Sequence, residues 1–90
     1  MVQLHIMVSG KVQGVGYRYF AQMKAVQYGI KGWVRNSDDN SVEIVAVGEQ
    51  EQVDQFVKVL REGNPFSKVT NVEISQLEES SSFQSFKIKY

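Results

Sequence analysis

Polar and apolar residues alternate over the first nine positions of the chain. Val2, Leu4, Ile6 and Val8 interleave with Gln3, His5, Met7 and Ser9, and a period of two predicts a strand with one face in a core. Gly10-Lys11-Val12-Gln13-Gly14-Val15-Gly16 breaks that pattern as a glycine-punctuated loop. From Tyr17 the period lengthens. Tyr17, Phe20, Ala21, Ala25 and Tyr28 fall at helical spacing, and Gly29 suits a C-terminal stop. Lys24 interrupts this stripe, and Met23 and Val26 are apolar off it, so the helix is imperfectly amphipathic. Positions 30–36 and 42–47 read as two strands. The short polar turn Ser37-Asp38-Asp39-Asn40-Ser41 joins them as a hairpin. Val53, Phe56, Val57 and Leu60 define a clearer second helix, ended by Gly63 and Pro65. Val69, Val72 and Ile74 predict a fourth strand, positions 78–82 a loop, and Phe83, Phe86, Ile88 and Tyr90 a terminal strand.

The order is strand, helix, strand, strand, helix, strand, with a short strand last. Two strand-helix-strand units predict an α+β fold: a ferredoxin-like βαββαβ (split βαβ) sandwich, an antiparallel sheet with two helices on one face. A chain of 90 residues makes one domain, 1–90, and 42% hydrophobic residues support a packed core.

Charge and cysteine content narrow the function classes. Ten basic residues balance ten acidic ones, so no strong overall field draws the chain to nucleic acid or to an anionic membrane. An anion site must therefore be built by local geometry. The absence of cysteine excludes disulfides, thiol chemistry and cysteine-ligated metals. The N-terminus has no basic start followed by a long apolar run, and no stretch approaches the ~18 apolar residues of a membrane helix. A cytoplasmic monomer is the expectation.

Two segments carry candidate chemistry. In the loop before the first helix, Gly14 and Gly16 let successive amides turn into one concavity. The first helical turn adds N–H groups and the positive end of the dipole. Arg18 stands at that junction, and its guanidinium forks onto two phosphate oxygens. No Gly-Lys-Ser/Thr follows and the third glycine of a dinucleotide fingerprint is missing, so this is neither a Walker loop nor a Rossmann turn. The second segment is Gly32-Trp33-Val34-Arg35-Asn36. Asn36 ends a strand, and its carboxamide can both accept from a water and donate to a substrate oxygen. The plainer readings are a surface Arg18 and an Asn36 that caps the turn. Trp33 reads as sheet packing, and Arg35 as solvated. His5 is the sole histidine, so no triad or histidine-metal cluster assembles around it.

These residues resemble a known family. Val12-Gln13-Gly14-Val15-Gly16-Tyr17-Arg18 is similar to the first acylphosphatase signature, with tyrosine where phenylalanine is common. Gly29-Ile30-Lys31-Gly32-Trp33-Val34-Arg35-Asn36 is similar to the second. Gly63 to Val69 and the ending Phe86-Lys87-Ile88-Lys89-Tyr90 also resemble family members. The resemblance implies hydrolysis of acyl phosphates without metal or cofactor. It implies that Arg18 binds phosphate beside the amides of Gln13, Gly14, Val15, Gly16, Tyr17 and Arg18, with inorganic phosphate as a product-like ligand. It implies that Asn36 orients the attacking water. Asn40 departs from the family's usual glycine; asparagine tolerates positive φ, so the hairpin should survive.

The alternative is a non-catalytic ferredoxin-like module that binds phosphate or RNA, or serves regulation. RNA-recognition domains stack bases on aromatics of the central strands. Here the outer face of the first strand offers Gln3, His5 and Met7, and that of the third Glu43, Val45 and Val47. Neither presents an aromatic.

Overall fold

In the computed structural model, described for residues 1–78 and 82–90, seven elements follow in the expected order. They are β1 (Val2–Lys11), α1 (Tyr17–Gln27), β2 (Lys31–Asn36), β3 (Val42–Gly48), α2 (Gln50–Glu62), β4 (Lys68–Gln76) and β5 (Phe86–Ile88). Of the expected loop 78–82, residues 79–81 lie outside the described residues.

The strands form one sheet in the order β4-β1-β3-β2-β5. β1 pairs antiparallel with β3 and β4, and β2 antiparallel with β3. The expected antiparallel sheet is thus present in its first four strands, but β5 pairs parallel with β2 and makes the whole sheet mixed. The reason is topological. β4 lies at the far edge and runs against β1 and β2; when the chain reverses and crosses to the other edge, it must run with β2. β1 also outlasts its expected end. A bulge between Ser9 and Gly10 lets Gly10 and Lys11 pair with Val69 and Lys68, so the loop begins only at Val12.

Both helices cover one face. Ile6, Val8, Val34, Val42, Ile44, Ala46 and Phe86 from the strands meet Tyr17, Ala21 and Ala25 of α1 and Val53, Phe56 and Leu60 of α2 in a single buried cluster. Phe56 meets Phe86 edge-on, with ring centroids 5.9 Å apart. α1 ends where the spacing places it. Gly29 takes a φ of 72°, its N–H donates to Val26 O and that of Ile30 to Ala25 O. This is a Schellman closure, with Ile30 buried behind it.

The other face carries an ionic row in place of helices. His5, Val45 and Trp33 are cross-strand neighbours. Beside them, Glu43 Oε2 lies 2.6 Å from His5 Nε2, and Glu43 Oε1 accepts a 2.6 Å hydrogen bond from Arg35 Nε. Arg35, expected to be merely solvated, is therefore an ion-pair partner, although it stays exposed. An aromatic does stand on this face, on β2. Trp33 has Lys89 Nζ 4.3 Å and Arg35 Cζ 5.6 Å from its ring, so cations already cover it.

Partial burial alone would raise the Glu43 pKa, but the hydrogen bonds from His5 and Arg35 outweigh it and hold the carboxyl below its ordinary range. A lowered folded pKa adds stability that is complete above the unfolded value of about 4.3 and is lost as pH falls through the folded one. Thermal unfolding from pH 7 to pH 3 should therefore show Glu43→Gln melting below the wild type at neutral pH, with the two curves converging in acid. Parallel curves would show that the Glu43 charge contributes nothing.

Candidate active site

The topology brings four chain segments to one corner. β1 and β2 both run antiparallel to β3, so they run the same way, and Val8, Val42 and Asn36 share a row. β5 is parallel to β2. The C-terminal ends of β1, β2 and β5 therefore share one edge, where α1 begins. A cleft of about 160 Å³ opens there. Val12, Gly14 and Gly16 of the loop, Tyr17, Arg18 and Tyr19 of the first helical turn, Asn36, Ile88 and Tyr90 line it.

Gly16 begins α1 in the left-handed region, with φ 77° and ψ 17°, and no side chain caps the helix. Left-handed geometry suits glycine and leaves the first helical N–H groups without a local acceptor. From Gln13 through Tyr19, no backbone N–H donates to a protein acceptor among the described residues; the first to do so is Phe20, to Gly16 O at 3.0 Å. Of these seven successive donors, those of Tyr17, Arg18 and Tyr19 lie in the first turn of α1, at the positive end of its dipole.

What the donors lack, the other side of the loop has. The Gln13 carboxamide turns away from the cleft and donates to Ser37 O at 2.9 Å and Ser41 O at 2.8 Å in the β2–β3 turn. Val15 O accepts from Asn64 Nδ2 at 2.9 Å. The buried Tyr17 hydroxyl donates to Leu60 O at 2.8 Å. Positions 13, 15 and 17 are thus tied to the scaffold, while Gly14, Gly16, Tyr17 and Arg18 line the cleft. Burial pushes the Tyr17 phenol above its ordinary range, so it stays a protonated donor.

Arg18 is half-buried. Its Nη1 donates to Lys89 O at 3.3 Å, and its Cζ lies 4.9 Å from the Tyr90 ring centroid. The terminal segment is itself fixed to β2 by Lys89 N–H on Val34 O at 2.8 Å. Asn36 does not cap the turn. Asp39 does that: its Oδ1 accepts from the Ser41 N–H at 3.1 Å and from the Ser41 hydroxyl. Those hydrogen bonds hold the Asp39 carboxyl below its ordinary range. Asn40 takes a φ of 71°, as its tolerance for that region allows. The exposed Asn36 carboxamide has no hydrogen-bond partner among the described residues and faces the same cleft as Arg18.

The structure therefore brings together Gly14, Gly16, Tyr17, Arg18 and Asn36, while Gln13, bound to the β2–β3 turn, and Val15 do not line the cleft. Sequence reasoning missed Asn64. It falls within a stretch whose resemblance was visible, but nothing local signals a bond across 49 positions. Among the described residues, no group of three or more His, Asp or Glu side chains is placed to hold a metal.

The fold is an α+β sandwich of the ferredoxin-like class, with an arginine and several acceptor-free amides at one sheet edge. The comparisons agree. The acylphosphatase family model matches residues 4–88. Acylphosphatases of Bacillus pumilus and Bacillus licheniformis are each 51% identical, over 99% of both chains for the former and 100% for the latter. The crystal structure of the Bacillus subtilis acylphosphatase superposes with a TM-score of 0.97 at 43% identity, covering all of both chains. The chain belongs to the acylphosphatase family. Its activity is the hydrolysis of acyl phosphates.

The Tyr17 tie is testable on its own. Tyr17→Phe keeps the ring but loses the bond to Leu60 O, which should cost about 1 kcal/mol. For a domain of this size that lowers the melting temperature by about 4–8 °C. An unchanged melting temperature in calorimetry would show that the tie bears no weight.

Proposed function

We propose that the phosphate of the substrate sits in the cleft at the start of α1, gripped by the Arg18 guanidinium and the amides from Gln13 to Arg18, while Asn36 orients the attacking water. The observation that carries this reading is the run of N–H groups without protein acceptors, in the same cleft as one arginine and one unpartnered carboxamide.

The chemistry demands little more. A carboxylate leaves with a pKa of about 4, so no general acid is needed to expel it. Phosphoryl transfer is loose, and the protein mainly positions groups and steadies charge on three oxygens. Among the described residues, no Asp, Glu or His side chain lines the cleft. His5 is engaged with Glu43 on the outer sheet face, and the Tyr17 phenol is committed to Leu60. In this reading the substrate's own phosphate takes the proton from water, as the family resemblance implies. Asn36, with one acceptor oxygen and two donor hydrogens, can hold that water against a phosphate oxygen. Inorganic phosphate and similar anions occupy the same place as product-like ligands. The proposal extends to a monomer of the cytoplasm, a reducing compartment in which a chain without cysteine forgoes no disulfide.

Two substitutions separate the roles. Arg18→Ala should lower kcat by at least about 10²–10³-fold, the loss typical of one preorganised donor, and weaken phosphate inhibition. Arg18→Lys should restore little of either, because an ammonium does not fork. Asn36→Ala should collapse kcat while leaving phosphate inhibition near the wild-type value. The assay is release of phosphate from benzoyl phosphate in the presence of chelator. Near-normal turnover in either arginine variant, or loss of phosphate affinity in Asn36→Ala, contradicts the assignment.

A further inference from the structure

Asn64 follows the end of α2 in the turn that leads to β4. Its main chain is locked on Ser67. The Asn64 N–H donates to Ser67 Oγ at 2.9 Å, and Asn64 O accepts from the Ser67 N–H at 3.1 Å and from the Ser67 hydroxyl at 3.0 Å. From that fixed base the side chain reaches the loop, and Nδ2 donates to Val15 O at 2.9 Å. The other end of the same carboxamide, Oδ1, is buried and has no partner among the described residues. A buried acceptor left unpaired costs stability. The orientation of this carboxamide is thus set by the Val15 carbonyl alone.

That carbonyl shares a peptide plane with the Gly16 N–H. The bond is trans, so the two groups point in opposite directions. Drawing Val15 O towards Asn64 turns the Gly16 N–H away from Asn64, and Gly16 lines the cleft. We propose that Asn64 is a positioning residue that aims the Gly16 N–H at the substrate phosphate. The proposal rests on the reading of the cleft as the phosphate site. It assigns Asn64 no contact with the ligand; it acts through one peptide plane.

The test uses the full chain and inorganic phosphate, with affinity measured by calorimetry at pH 7 and pH 4 and expressed relative to the wild type at each pH. Asn64→Ala removes the donor, and phosphate should bind about tenfold more weakly at both pH values. Asn64→Asp places an acceptor against Val15 O at pH 7 and should bind at least as weakly as the alanine variant. At pH 4 the protonated fraction regains an O–H donor, and affinity should return to within a few-fold of the wild type while Asn64→Ala stays weak. Recovery in the aspartate variant alone is a signature that general loss of packing does not produce. The proposal is overturned if both variants bind phosphate within twofold of the wild type, or if Asn64→Asp shows no recovery in acid relative to Asn64→Ala. If the wild type itself binds no phosphate, the phosphate-site reading fails, and this inference with it.

Discussion

The chain from the β1–α1 loop into the first turn of α1 is tied down at every second residue, and the shape of the cleft depends on that. Gln13 is held by two carbonyls of the β2–β3 turn, Val15 by Asn64, and Tyr17 by Leu60. In a free chain water would satisfy these donors and nothing would hold them in one direction. Here the ties use the opposite side of the loop and leave the intervening positions facing the cleft. Two of the three ties come from the C-terminal end of α2 and the turn beyond it. That helix thus does more than cover the sheet: it sets the shape of a loop far from it in sequence.

The sheet supplies the rest of the geometry. Because β1, β2 and β5 share a direction, a loop, an asparagine and residues 89–90 converge on one edge. The buried cluster under α1 and α2 fixes how α1 enters, through Tyr17, Ala21 and Ala25. Side chains and amides placed on strand ends and a helix start inherit the rigidity of that packing, which suits the preorganised donors of the proposed site.

Much of this was legible in the chain. Alternation in β1, the 3.6-residue period of α2 and the polar turn at 37–41 gave the element order, and the switch from strand to helix through glycine marked the loop. Arg18 and Asn36 were marked chiefly by the resemblance of two short segments to a known family, since residue type alone left a surface arginine and a turn cap open, and the structure places both in one cleft. Other features carried no local signal. The continuation of β1 through Gly10 depends on a bulge that only the partner strand reveals. The parallel pairing of β5 follows from where β4 lies in the sheet. The partnership of Arg35 and His5 with Glu43 joins three strands, none of which announces it. The three ties are bonds from side chains to backbone carbonyls, for which any polar residue of the right length serves. Their sequence pattern is therefore weak, although their structural effect is large.

The central claim is that the acceptor-free amides of the loop are where the anion binds. Titrating uniformly ¹⁵N-labelled protein with inorganic phosphate and following each backbone amide by NMR tests it most directly. The account predicts that the largest saturable shifts fall between Gln13 and Tyr19, together with slower hydrogen exchange at the same positions. Shifts centred instead on the outer sheet face around Trp33 and Lys89, with the loop amides unmoved at saturation, would contradict it.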